Sequence, residues 1–288
     1  MLHDVELPGP LVSADWLRAL TGDPGLVIAD LRWVREVPAR EAFEAGHVRG
    51  AVFFDVDLDL AASPGEGRGR HPLPSPEAFA ATMSAAGIGD GTAVVAYDVE
   101  GGSLAARLWW MLDVTGHEAA VLDGGLRAWG GPIETGPPTR REPAAFTARP
   151  WPADRIVDVD GVTAALRDGS ATVLEARAAA RYRGEVEPLY AVAGHIPGAR
   201  SSPWEENLDP ETGRFLPPER LREKYLAAGV GERDEAICQC GSGVTACHDV
   251  LAMELAGLQR PKLYVGSWSD WISDPSRPVA TGPKLGSL

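Results

Sequence analysis

The sequence predicts an α/β protein made of two tandem domains of one kind, each a parallel sheet with helices on both faces. Three observations carry this. Segments of the first half recur in the second, short apolar strands alternate with helices, and glycine-bearing turns separate them. In the recurrence, LVIADLR at 26–32 returns as TVLEAR at 172–177, and AGHVRGA at 45–51 as AGHIPGA at 193–199. SAAGIG at 84–89 then returns as LAAGVG at 226–231, and LDGGLRAW at 122–129 as YVGSWSDW at 264–271. Trp129 and Trp271 are 142 residues apart, as are Gly87 and Gly229, so one duplication with small insertions spans nearly the whole chain.

In chain order, the first half reads as helix at 13–21, strand at 26–31, helix at 76–86, strand at 93–97, helix at 103–114 and strand at 120–122. Each strand is a short apolar run without alternation, the pattern of a strand buried on both faces. Residues 132–154 are rich in Pro, Thr, Arg and Glu without periodicity and mark the connection. The domains are accordingly placed at 1–137 and 156–288, with a linker at 138–155. Residues 63–74 (SPGEGRGRHPLP) form a long first-half loop with no counterpart of equal length in the second half.

A net charge of −14 and a pI near 4.9 argue against nucleic acid and anionic membrane surfaces as partners. With no run of eighteen apolar residues, no membrane span is expected, and no secretion signal is evident at the start of the sequence. The three cysteines, Cys238, Cys240 and Cys247, are odd in number and fall within ten residues. This is not a disulfide framework; it points to a reducing compartment, so a cytoplasmic location is expected. Cys238, Cys240 and His248 fall short of a zinc ligand set, and neither metal nor cofactor is expected.

Chemistry concentrates in AICQCGSGVTAC at 236–247. An apolar strand ends at Cys240, a glycine-bearing loop covers 241–245, and Val244, Cys247, Val250, Leu251 and Leu255 keep helical spacing up to a stop at Gly257. Cys240 therefore lies at a strand-to-helix turn, where backbone N–H groups and the helix dipole favour an anion such as a thiolate. The alternative is a small buried hydrophobe. The two loop glycines favour the thiolate, because they let the backbone N–H groups curl around one atom. Shifted back by 142 residues, Cys240 falls on Asp98. A carboxylate is no sulfur nucleophile, so the first domain is expected to be inactive in its own loop. Cys238, one alternation away on the strand, and Cys247, on the helix's apolar stripe, read as core cysteines.

Taken together, GHIPG at 194–198, GHVRG at 46–50, the paired Gly-x-x-x-x-Trp endings and CGSGVT at 240–245 resemble the two-domain rhodanese-type sulfurtransferases over nearly the full length. The loop is similar to that of the 3-mercaptopyruvate sulfurtransferases; thiosulfate-preferring members carry basic residues after the cysteine, where this chain has Gly241 and Ser242. The resemblance implies two tandem rhodanese-like domains and a double displacement. Cys240 takes sulfur from a small-molecule donor, mercaptopyruvate or thiosulfate, and passes the persulfide sulfur to cyanide, a small thiol or a thioredoxin-like acceptor. It implies persulfide binding by Gly241, Gly243, Val244 and Thr245, proton movement assisted by Ser242, Asp57 and His71, and a carboxylate grip by Arg181. The family's second carboxylate arginine falls on Tyr190, a departure that bears on the donor. Gly46-His47 and Gly194-His195 occur in both halves and read as structural turns, and Trp268 reads either as a cleft wall or as core.

Two other readings compete. A cysteine phosphatase needs Cys-x5-Arg, and the residue six past Cys240 is Ala246, which excludes it. A non-catalytic persulfide carrier or redox-sensing module would load sulfur once and stall; turnover separates it from an enzyme.

Overall fold

The computed structural model describes residues 5–34, 36–63, 65, 68–232 and 235–288. It divides into two compact units, one of residues 1–62, 74–151 and 209–215, the other of 63–73, 152–208 and 216–288.

The first unit runs β1 (Leu11–Val12), α1 (Ala14–Leu20), β2 (Leu26–Asp30), α2 (Ala39–Ala45), β3 (His47–Val48), β4 (Val52–Phe53), α3 (Pro76–Ala85), β5 (Ala93–Tyr97), α4 (Ala105–Val114), β6 (Ala119–Leu122), α5 (Gly125–Trp129) and β7 (Ile133–Glu134). Ser13 and Ser75 cap α1 and α3, accepting from the Trp16 and Ala78 N–H groups, and Pro76 sits in the first turn, where its missing N–H costs nothing. Strands pair in the order β1-β6-β5-β2-β4, all parallel. Every residue of β2 and β5 is buried, as the apolar runs at 26–29 and 93–97 require of strands covered on both faces.

The second unit repeats the plan with β8 (Ile156–Val157), α6 (Val159–Asp168), β9 (Ala171–Glu175), α7 (Ala179–Tyr182), β10 (Arg200–Ser201), a 3-10 turn at Trp204–Asn207, α8 (Pro218–Ala227), β11 (Glu235–Gln239), α9 (Ala246–Leu255), β12 (Lys262–Tyr264) and α10 (Ser267–Trp271). Its parallel order, β8-β12-β11-β9-β10, is that of the first unit strand for strand. The fold class is thus α/β with two like domains. The sequence repeat is a structural repeat.

Several expectations take a sharper form. The paired histidines are structural: His47 stacks on Phe43 at 3.8 Å and His195 on Tyr182 at 3.6 Å, each with Nδ1 against the carbonyl oxygen of that same aromatic residue. Trp268 is fully buried and belongs to the core of the second unit. The partition also differs from domains at 1–137 and 156–288 joined by 138–155. Residues up to Trp151 count with the first unit, and the Trp151 indole N–H donates to the Pro74 carbonyl at 2.8 Å while its ring packs on Phe79 and Trp110. Ser63–Leu73 counts with the second unit and Asp209–Phe215 with the first, where the Phe215 N–H donates to Asp123 at 2.9 Å.

Asp98 follows β5 as Cys240 follows β11. It is buried, and its carboxylate accepts four backbone N–H groups: those of Glu100 and Gly102 at 2.8 Å on one oxygen, those of Leu104 and Ala105 at 2.7 and 3.0 Å on the other. Burial pushes this carboxyl up from its usual range, and the four donors oppose that shift. The loop's anion-binding backbone is thus occupied by the protein's own side chain. Asp98→Ala strips all four donors of their acceptor and should cost about 3 kcal/mol in chemical unfolding. Asp98→Asn, which turns an amide NH2 toward N–H groups, should cost less but still more than about 1 kcal/mol. An Ala variant as stable as the parent would contradict this role.

Candidate active site

Cys240 is the first residue past β11, at the carboxyl edge of its sheet, and is buried. The Gly243 N–H donates to its Sγ at 3.2 Å. Gly243 has φ +76°, and a Cβ there would lie 2.4 Å from the Val265 carbonyl oxygen, so only glycine permits this turn. The loop 241–245 leads into α9. Cys247, one turn along, donates its thiol to the Gly243 carbonyl at 3.4 Å and so braces the loop from within the core. Cys238 is fully buried, and burial, with Asp249 next, pushes its thiol well up. Both are packing cysteines, with Cys240 at the strand's end.

The first turn of α10 holds the Cys240 backbone. The Trp268 N–H donates to the Cys240 carbonyl at 3.0 Å and the Ser269 N–H to the Gly241 carbonyl at 2.9 Å. The Cys240 N–H donates to Ser267 Oγ at 3.1 Å, and that hydroxyl donates to the Tyr264 carbonyl at 2.8 Å. Ser267 has φ +51°, a left-handed conformation uncommon for a residue with a Cβ. The first unit's counterpart is Gly125, φ +56°, and there the Leu126 N–H holds the Asp98 carbonyl at 2.8 Å. The turn is common to both units, but only the second carries a strained serine whose hydroxyl reaches the backbone of the strand-end residue, Cys240. Sequence reasoning missed Ser267; the mismatch of Gly125 with Ser267 inside the repeated endings was the available signal.

Residues 69–71 reach the same place. Gly69 packs so closely on Gly266 that a Cβ would lie 2.6 Å from its carbonyl oxygen, and the Arg70 N–H donates to Ser269 Oγ at 2.9 Å. This sets His71 Nδ1 2.7 Å from Ser242 Oγ, both side chains buried. His71, from the first-half loop, therefore counts with the second unit. Asp57 belongs to the first unit, on an exposed turn where its N–H donates to Asp55 at 2.8 Å.

Arg181 is half-buried on α7. Its guanidinium donates to Glu187 at 3.2 and 2.7 Å, and Glu187 also accepts from Arg177 at 3.0 Å. Arg177 is held by Glu175 and the Gly194 carbonyl and lies 4.7 Å over Trp268, which makes it a structural cation. Glu187, a buried partner of both arginines, was not foreseen; GEVEP at 184–188 gives no periodic signal. Tyr190 lies under Arg181, with the guanidinium 5.7 Å from the ring centroid, and its hydroxyl reaches the loop, 3.0 Å from where a Gly241 Cβ would be. Burial, and then the Cys240 sulfur, push this phenol's pKa up, so it stays a neutral donor. The second unit thus gathers Cys240, Gly241, Ser242, Gly243, Val244, Thr245 and His71 at one sheet edge, with Arg181 beyond Tyr190. Chemically, this is a thiol with an N–H donor aimed at sulfur and an imidazole–hydroxyl pair beside it.

Ser267→Ala keeps the strained φ and loses the bond to the Cys240 N–H, and should cost about 2 kcal/mol in chemical unfolding. Ser267→Gly loses the same bond but relieves the backbone, and should cost about 1 kcal/mol less than alanine. Equal stability of the two variants would remove the strain from this account.

The rhodanese-like domain model matches residues 13–131 and 158–274. A Pseudomonas aeruginosa protein described as a probable 3-mercaptopyruvate sulfurtransferase is 44% identical over 280 residues, covering 94% of this chain and 98% of that one. The thiosulfate sulfurtransferase of Cricetulus griseus is 36% identical and covers 98% of both chains. Among solved structures, SseA from Escherichia coli, described as a 3-mercaptopyruvate sulfotransferase of rhodanese fold, superposes with a TM-score of 0.79 at 33% identity. That match covers 90% of this chain and 99% of SseA. With the family model on both repeats and sulfurtransferases matched end to end, this chain belongs to the rhodanese-like family and is a two-domain sulfurtransferase.

Proposed function

We propose that Cys240 carries the transferred sulfur as a persulfide, with 3-mercaptopyruvate as the preferred donor. The observation that carries this reading is the Gly243 N–H aimed at Cys240 Sγ from a loop whose next residues, Gly241 and Ser242, are uncharged. In the first step the Cys240 thiolate attacks the donor sulfur. An S–S bond forms, the C–S bond breaks, and its electron pair passes to the methylene carbon. That carbon takes the proton the donor thiol gives up, so pyruvate leaves and a persulfide anion remains. Loop N–H groups of 241–245 stabilise that anion, and His71 with Ser242 moves the proton. An acceptor thiol, small or thioredoxin-like, or cyanide, then removes the outer sulfur.

Arg181 is assigned to the donor carboxylate; its side chain, more accessible than that of its partner Glu187, supports this. Asp57 is proposed to join the proton pathway, and the first unit's own loop to be inactive because Asp98 stands at the thiol's place. Thiosulfate is the second reading. Tyr190 at the position of a family arginine, the Arg181–Glu187 pairing and the Cricetulus griseus relative favour it. Three buried free cysteines suit a reducing cytoplasm, and among the described residues no helix is long and apolar enough to cross a membrane.

Steady-state assays with cyanide as acceptor test the donor. A kcat/KM for mercaptopyruvate at least about tenfold above that for thiosulfate is expected; the reverse order would assign thiosulfate, and loading without turnover would make the protein a carrier. Cys240→Ser should lose about a thousandfold or more in turnover with either donor while keeping its fold. Arg181→Ala should raise KM for mercaptopyruvate roughly tenfold and leave that for thiosulfate, which has no carboxylate, nearly unchanged.

A further inference from the structure

We infer that the Tyr190 hydroxyl is a donor-selecting positioning group, holding the Ser242–His71 pair for reactions whose leaving group must be protonated. This deepens the proposed function and rests on it. Four observations place Tyr190 there. Its hydroxyl overlies Gly241, the residue next to the nucleophile. Ser242 is the next residue along that loop, one past Gly241 and two past Cys240. Ser242 Oγ is already 2.7 Å from His71 Nδ1, which leaves that oxygen room for one more donor. The Arg181 guanidinium packs over the ring, 5.7 Å from its centroid, which helps to hold the ring.

The chemistry makes the role selective. With mercaptopyruvate, breaking the C–S bond leaves an electron pair on carbon, and the thiol proton must reach that carbon. With thiosulfate, breaking the S–S bond leaves the pair on sulfite, and no proton moves. A phenol that donates to Ser242 Oγ frees the serine's own proton to point at His71, so the three groups share one direction of proton transfer. Where an arginine would add charge for an anionic donor, a neutral phenol instead orders the hydroxyl that serves proton transfer.

The test is Tyr190→Phe, which keeps the ring under Arg181 and removes only the hydroxyl. Pyruvate release from mercaptopyruvate and sulfite release from thiosulfate are followed with wild type and variant, across pH. Expected is a fall of roughly tenfold in kcat for mercaptopyruvate with KM little changed, an altered pH profile for that donor, and thiosulfate turnover within about twofold of wild type. Equal losses with both donors, or a change confined to KM, would overturn the inference, the latter making Tyr190 a carboxylate ligand. Retained thiosulfate turnover shows that the variant is folded. A wild-type protein that does not release pyruvate would instead defeat the proposed donor, and with it this role.

Discussion

The site depends on how the Cys240 peptide is held. Its carbonyl accepts from Trp268, its N–H donates to Ser267, and Gly243 turns its own N–H back to the sulfur. Each contact fixes a different part of one residue. Together they leave the sulfur at the sheet edge with a donor already pointed at it, so little reorganisation is needed when negative charge arrives. The close approaches that make this possible, Gly243 on Val265 and Gly69 on Gly266, admit no side chain, and the second brings His71 to Ser242.

The duplication provides an internal control for this arrangement. Both units place a left-handed turn against the strand-end residue and both hold its carbonyl from the same position of that turn. They differ in what fills the loop. In the first unit Asp98 supplies two oxygens to four N–H groups. In the second, one sulfur meets a loop shaped for an anion. The same backbone thus surrounds a carboxylate in one copy and a thiol sulfur in the other. The acid–arginine pairs at the ends of β2 and β9, Asp30 with Arg32 and Glu175 with Arg177, recur in both and belong to the scaffold.

Much of this was legible in the residues. The buried central strands announce themselves as apolar runs at 26–29 and 93–97, and the offset of 142 carries the first unit's plan onto the second. Capping serines and Pro76 mark helix starts to within a residue or two. Other features leave no local trace. Helix α2 buries only Phe43 in an otherwise polar turn, and β4 and β10 are two residues long, too short for any period. The 63–73 loop counts with the second unit through backbone approaches that composition does not encode. Glu187 is one carboxylate among many until the fold brings both Arg177 and Arg181 to it. Ser267 looks like an ordinary serine; only its positive φ reveals that something holds it there.

The most direct test of the central claim is to trap the sulfur. The full-length protein is incubated with mercaptopyruvate in the absence of acceptor, digested, and its cysteine peptides weighed by mass spectrometry. The account predicts one added sulfur atom on Cys240, removed by cyanide, with Cys238 and Cys247 unchanged. Sulfur on Cys238 or Cys247 instead, or none on Cys240 while pyruvate is still released, would contradict it.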